Sequence, residues 1–351
     1  MVGSPAKIRR DYTLTPASSL SRQIARAEEG HEVTPLLMVA ASAAATPMSA
    51  PPMLFWHVEP NEPPGAFYNR AAADILADVS AWAYSDCETL VDELYHRGIV
   101  DFGTTCHEIA VTNEAMLVVS TAYFLRSQNV AVLCFRGTEP SNAINFLTDA
   151  NVQMKGFLSM GHIHGGFHRN VRAVWDDIAD QIRHALGEKE ESRQLRRLYI
   201  TGHSLGAAMA VIAAAIIFGD ERYAAWRPLV RGVYTYGQPM VGDAEFANSC
   251  SPRFGDIVFR HVYDHDLVPR MPPRTTGNFK HFGAEYVGTE KGWNPRSELS
   301  SQAWSALWSI PIGAAAFVFK QLPLLSSIRL PYSIDDHSPN NYLEAFRAAR
   351  E

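Results

Sequence analysis

An apolar run that stops at Gly202-His203-Ser204-Leu205-Gly206 and resumes at once in small and aliphatic residues limits this chain's folds more than any other stretch. "RLYITGHS" has no solvent face and reads as a strand covered on both sides. "LGAAMAVIAAAIIFG" has none either and reads as a buried helix. A buried strand turning straight into a buried helix belongs to a sheet with helices on both faces. The turn between them is tight, so the positions two before and two after Ser204 must be small, and both are glycine. Ser204 would then sit strained at the apex, with the helix N-terminus and its free N–H groups beside it. Gly-x-Ser-x-Gly alone arises by chance in roughly one chain in ten of this length. The strand before it and the helix after it make it informative. The plainer alternative is a glycine turn with a capping serine.

The rest of the chain repeats the alternation. "AFYNRAAADILADVSAWAYSD" and "GFHRNVRAVWDDIADQIRHAL" carry apolar residues at helical spacing, and "AMLVVSTAYFL", "NVAVLCFRG", "RGVYTYGQP", "DIVFRHVYDHD" and "FGAEYVG" read as strands. The expected class is α/β with a mostly parallel central sheet. At 351 residues, one large domain with additions is the natural size. The Pro-rich "EPNEPPG" marks the break between an N-terminal extension, residues 1–64, and a domain over 65–351. The extension is first polar, then Ala/Pro-rich at "PLLMVAASAAATPMSAPPMLFW", where prolines cut any helix short. It lacks the basic-then-apolar order of a secretory signal. A net charge of −6 with no basic stripe argues against nucleic acid as a partner. The four cysteines show no metal or disulfide spacing, and Cys134 reads as a buried small residue.

A serine hydroxyl is a poor nucleophile alone. It needs a base, a group to orient that base, and N–H donors for the oxyanion. One donor in such a turn is the residue after the serine, Leu205; the other comes from a loop after an earlier strand, for which "VAVLCFRGTEPSN" qualifies. In that loop Phe135-Arg136-Gly137-Thr138 resembles the Phe-Arg-Gly-(Ser/Thr) motif of the class 3, fungal-type lipases, which have the α/β-hydrolase fold. "NFLTD", "HGGF" and "TYGQPMVGDAEFA" resemble further motifs of that family in the same order, with Phe146 where the family has tryptophan. The likeness covers roughly residues 68 to 290 and the C-terminal histidine segment. It implies that Thr138 and Leu205 form the oxyanion hole, with Asp149 as the candidate brace of the Thr138 hydroxyl.

The acid should follow the serine and the base should come last. Asp266 matches the family's Asp-x-Val-Pro-x-x-Pro-Pro, with Asp264 as its competitor two places away. His337 matches the family's Asp-His before a final helix; His281 is the rival. The expected triad is Ser204, Asp266 and His337, acting without metal or organic cofactor. His203 flanks the serine, as in the family, and shaping the turn is its plainer role. His203, Phe146, Trp304 and Trp308 are the candidates for substrate contact. His162, His164 and His168 invite a metal hypothesis, but no carboxylate or cysteine completes a standard set, so structural roles are expected.

Between Asp266 and His337 lies an insertion, about residues 291–330, containing the apolar "LSSQAWSALWSIPIGAAAFVFKQLPLL". One membrane crossing there would separate Asp266 from His337, so a lid-like cover over the site or a surface meeting lipid is expected instead. The resemblance implies a serine-dependent ester hydrolase acting on acylglycerols, with a lipid ester as partner and peripheral contact with lipid surfaces. Phospholipase A1 and short-chain carboxylesterase are rivals within the same chemistry; a catalytically silent lipid-binding scaffold is the rival outside it. The missing signal pattern and unpaired cysteines point to the cytoplasm, with peripheral membrane association also expected, and the family's habit points to secretion as the alternative.

Overall fold

The computed structural model describes residues 6–19, 68–113, 118–138, 153–272, 277–295, 333 and 335–347. Its strands are β1 (Ala6–Thr13), β2 (Thr105–Asn113), β3 (Val118–Ser127), β4 (Val130–Phe135), β5 (Met154–Gly156), β6 (His162–His164), β7 (Arg197–His203), β8 (Val230–Tyr236), β9 (Gly242–Asp243), β10 (Val258–Tyr263), β11 (Phe279–Lys280), β12 (Ala284–Thr289) and β13 (Gly292–Pro295). Its longer helices are α1 (Arg70–Trp82), α2 (Cys87–His96), α3 (Gly165–Leu186), α4 (Leu205–Gly219), α5 (Ala244–Phe254) and α6 (Pro339–Arg347). The main sheet has the order β1-β2-β3-β4-β7-β8-β10-β12-β13, and β11-β9-β6-β5 form a small second sheet.

The parallel part of the main sheet is its centre, β4-β7-β8-β10-β12. Every residue of β4 is buried, as expected of a strand with neighbours on both edges and helices on both faces. The margins, β1 to β4 and β12–β13, are antiparallel. On one face α3 and α4 pack Trp175, Ile178, Met209 and Ile212 against Leu133, Ile200 and Val233. On the other, α1, α2 and α6 set Leu76, Leu90, Tyr342 and Phe346 against Cys134, Tyr199, Tyr234 and Phe259. All four cysteines are free and buried. Among the described residues no helix is long and apolar enough to cross a membrane.

One strand was not expected. Residues 6–13, assigned by composition to an extension, pair with β2 along their whole length and form the edge of the main sheet. Their pattern is charge rather than hydrophobicity. Lys7 and Arg9 both reach the nearly buried Asp177 on α3, and Tyr12 donates to Asp92 on α2 at 3.0 Å. Such a charged edge is stabilised by ion pairs and resists further strand addition.

A buried histidine makes the fold sensitive to acid. His261 on β10 is wholly buried, donates from Nδ1 to the Thr235 carbonyl at 3.2 Å, and accepts at Nε2 from the Tyr68 hydroxyl at 3.1 Å. Burial pushes its pKa down to about 3 from an ordinary 6.5. Between those values the unfolded chain binds a proton that the folded chain does not, so stability falls as pH is lowered through that window. The slope from this one group approaches about 1.4 kcal/mol per pH unit. Urea midpoints measured from pH 7 to pH 4 should decline, and His261→Phe should flatten the decline.

Candidate active site

Ser204 stands where the strand-to-helix reading puts it, between the end of β7 and the start of α4, with φ 59° and ψ −127°. A serine at positive φ is strained by about 1–3 kcal/mol and persists only where its surroundings fix it. They do so here by backbone contact. A Cβ on Gly202 would lie 2.5 Å from the backbone of Gly206, and one on Gly206 would collide with the Phe135 carbonyl at the end of β4. The Ser204 N–H donates to the Tyr236 carbonyl at 2.9 Å, which ties the turn to the end of β8. Both walls are backbone and shift only at a cost, so Gly206→Ala should lower stability by about 1–3 kcal/mol. It should also cut kcat by about 100-fold, because the turn and the β4 loop must move apart. Urea denaturation and initial rates on a soluble ester check both.

Asp266 follows β10 and is 1% exposed; His337 lies in a short turn before α6 and is 0% exposed. Their side chains meet: His337 Nδ1 donates to Asp266 Oδ2 at 2.7 Å. The other carboxylate oxygen accepts the Val268 N–H at 2.8 Å. The two loops are stitched by Ser333 N–H to the His265 carbonyl at 2.8 Å and Leu267 N–H to the Ser333 carbonyl at 3.2 Å. Gly237, next to the residue that holds the Ser204 N–H, forms the floor under this pair. A Cβ there would come within 2.7 Å of His337 Cε1 and 3.1 Å of Asp266 Oδ2. The His337 ring packs on that of His203, the residue before Ser204, at 4.6 Å between centroids. The imidazole therefore lies beside the serine turn with Nδ1 occupied. Its Nε2 and the Ser204 Oγ are both buried with no hydrogen-bond partner among the described residues. Catalytic hydrogen bonds are often long before substrate binds.

The competitors go elsewhere. Asp264 is exposed and pairs with the neighbouring His265 at 2.9 Å. His281 donates from Nε2 to the Pro269 carbonyl at 2.8 Å, and burial pushes its pKa down to about 3. Leu205 opens α4, where the first N–H groups have no helical partner. Thr138 lies beyond β4, and its hydroxyl oxygen is buried without a partner among the described residues. The three upstream histidines divide. His162 pairs with Asp243 at 3.0 Å, in a surface group whose Glu245 is also near. His164 caps α3 by accepting the Gly166 and Phe167 N–H groups, and His168 packs edge-on against Phe157. Phe146, Asp149, Trp304, Trp308 and the segment 299–324 lie outside the described residues.

One site residue was not read from the sequence. Tyr342 on α6 donates its hydroxyl to Asp266 Oδ2, so that oxygen serves both the phenol and the imidazole. Only its position on the buried face of the last helix marks it in the sequence. Tyr342→Phe removes a hydrogen bond to a buried carboxylate, commonly about 1.5–3 kcal/mol. A fall in kcat of about tenfold with KM nearly unchanged is expected from loosening that orientation, read from Michaelis–Menten kinetics.

A strained serine at the carboxyl end of a parallel sheet, beside a buried histidine–aspartate pair from later loops, has the layout of an α/β-hydrolase with a serine nucleophile. Residues 132–276 match the family model described as Lipase (class 3). It is 27% identical over 262 residues to triacylglycerol lipase OBL1 of Arabidopsis thaliana, covering 61% of this chain and 48% of that one. It is 32% identical over 146 residues to the secreted mono- and diacylglycerol lipase 1 of Fusarium solani, covering 41% and 40%. The chain thus spans about half the length or less of these two relatives. Lipase II from Rhizopus niveus aligns with a TM-score of 0.49 at 23% identity over 62% of this chain and 80% of that one.

Proposed function

We propose that this chain is a serine-dependent carboxylic-ester hydrolase acting on acylglycerols, with Ser204 as nucleophile, His337 as base and Asp266 as its orienting acid. The observation that carries the reading is the buried His337–Asp266 pair packed beside the strained Ser204, whose hydroxyl has no partner among the described residues. Relatives named for tri-, di- and monoacylglycerols support the substrate class. With Nδ1–H donated to Asp266, His337 Nε2 takes the Ser204 proton as Oγ attacks the ester carbonyl. The Thr138 and Leu205 N–H groups receive the developing oxyanion; one such donor is typically worth about 10²–10³ in rate. The tetrahedral adduct collapses to acyl-Ser204, and His337 returns the proton to the leaving alcohol. Water, deprotonated by the same Nε2, then releases the acid and restores the serine.

The test is a chain-length series of glycerol esters, soluble and emulsified, with a fluorophosphonate label on Ser204. Preference for emulsified long-chain esters supports an acylglycerol lipase. Preference for soluble short esters makes it a carboxylesterase, and release from phosphatidylcholine alone makes it a phospholipase A1. Failure of Ser204 to label in folded protein favours a lipid-binding scaffold. The aromatic segment 299–324 is proposed, from its sequence, to meet the lipid surface, which places the chain peripherally on lipid. Secretion is the alternative supported by relatives named as secreted in Fusarium solani and Malassezia globosa.

A further inference from the structure

The loop after β4 and the turn after β7 must aim two N–H groups, those of Thr138 and Leu205, at one point. Their backbones touch on two sides: Gly206 against the Phe135 carbonyl, and Gly137 against the His203 carbonyl, which a Cβ on Gly137 would approach to 2.6 Å. A side chain from elsewhere closes a third side. Tyr84, just beyond α1, puts its hydroxyl where a Cβ on Gly137 would be. The same hydroxyl is 2.9 Å from His203 Nδ1. The Tyr84 ring lies 5.9 Å from the Arg136 guanidinium, so it contacts the β4 loop at two successive residues. His203 is fully buried, and burial together with the nearby His337 holds its pKa well below the ordinary value, so it remains a neutral ring. Its other face packs on His337.

We propose that Tyr84 is a positioning residue that locks the oxyanion loop to the nucleophile turn, its hydroxyl bonded to His203 and wedged against Gly137. This rests on the ester-hydrolase reading above. Losing the hydroxyl leaves the loop free to drift relative to Leu205, and small misplacements of a catalytic group are costly. The ester carbonyl is still bound, but the oxyanion is less well received, so kcat should suffer while KM does not.

The experiment compares wild type, Tyr84→Phe, His203→Asn and the double variant on a soluble p-nitrophenyl ester. Rates are normalised to sites titrated to completion with a fluorophosphonate, so misfolded protein does not count. Tyr84→Phe is expected to lower kcat by about 10- to 100-fold with KM changed less than about twofold. Because Tyr84 acts through His203, the double variant should be no slower than the slower single one. A Tyr84→Phe kcat within about twofold of wild type, or losses that multiply in the double variant, overturns the proposal. A wild-type protein with no ester hydrolysis overturns the functional reading itself, a result distinct from either.

Discussion

Ser204→Ala should abolish ester hydrolysis while leaving the protein as stable as before or slightly more so. Removing the nucleophile of a serine triad costs about 10⁶ in kcat, because the histidine and aspartate have nothing left to activate. The stability half of the expectation comes from the Ser204 hydroxyl, which is wholly buried and has no partner among the described residues. A buried, unmade hydrogen bond costs about 1–3 kcal/mol, so deleting that hydroxyl contributes stability even though a methyl remains. The φ of 59° is as strained for alanine as for serine, whereas glycine adopts it freely. Ser204→Gly should therefore be more stable than Ser204→Ala by up to about 1 kcal/mol, against the usual order of those residues. Urea denaturation of the three proteins at neutral pH gives the ranking, and burst titration gives the activity. Hydrolysis surviving in Ser204→Ala would place the nucleophile elsewhere.

The parts of this molecule legible in its sequence are those dictated locally. The sheet centre was legible because β4 is apolar throughout and β7 and β8 are mostly buried, as strands covered on both faces must be. The serine turn was legible because Gly202 answers the backbone of Gly206 only four residues on, although the wall against Gly206, the Phe135 carbonyl, lies far back in the chain. Boundaries drifted where pattern gives way to pairing: the strand expected to end at Leu125 runs on to Ser127, where β3 is still paired with β4. Residues whose reason lies far away in the chain were invisible. The partner of Arg9 is 168 positions off, that of Tyr84 is 119 off and that of Tyr342 is 76 off. None of these carries a local spacing that announces it. The choice of Asp266 over Asp264, and of His337 over His281, came from family likeness and loop position. Among the four candidates, Asp266 lies against His337, Asp264 pairs with His265, and His281 is held by the Pro269 carbonyl.

Asp266→Asn should lower kcat by about 10⁴ with the fold intact, through the wrong histidine tautomer. In the wild-type site three donors converge on this carboxylate. Val268 N–H points at Oδ1, and both the Tyr342 hydroxyl and His337 Nδ1 point at Oδ2. An asparagine must keep its carbonyl oxygen toward the Val268 N–H, since the alternative sets a donor against a donor at 2.8 Å. Its amide nitrogen then occupies the Oδ2 position and donates toward His337 Nδ1, which can accept only by surrendering its proton. The proton moves to Nε2, the atom proposed to take one from Ser204, and the proposed base becomes a donor. The Tyr342 hydroxyl can turn to accept instead, so the network stays paired and the loss in stability is confined to about 1–3 kcal/mol. Because the defect is one of tautomer rather than affinity, KM should hold while kcat and the rate of fluorophosphonate labelling fall together. A loss smaller than about tenfold would mean that the imidazole is oriented by something other than this carboxylate.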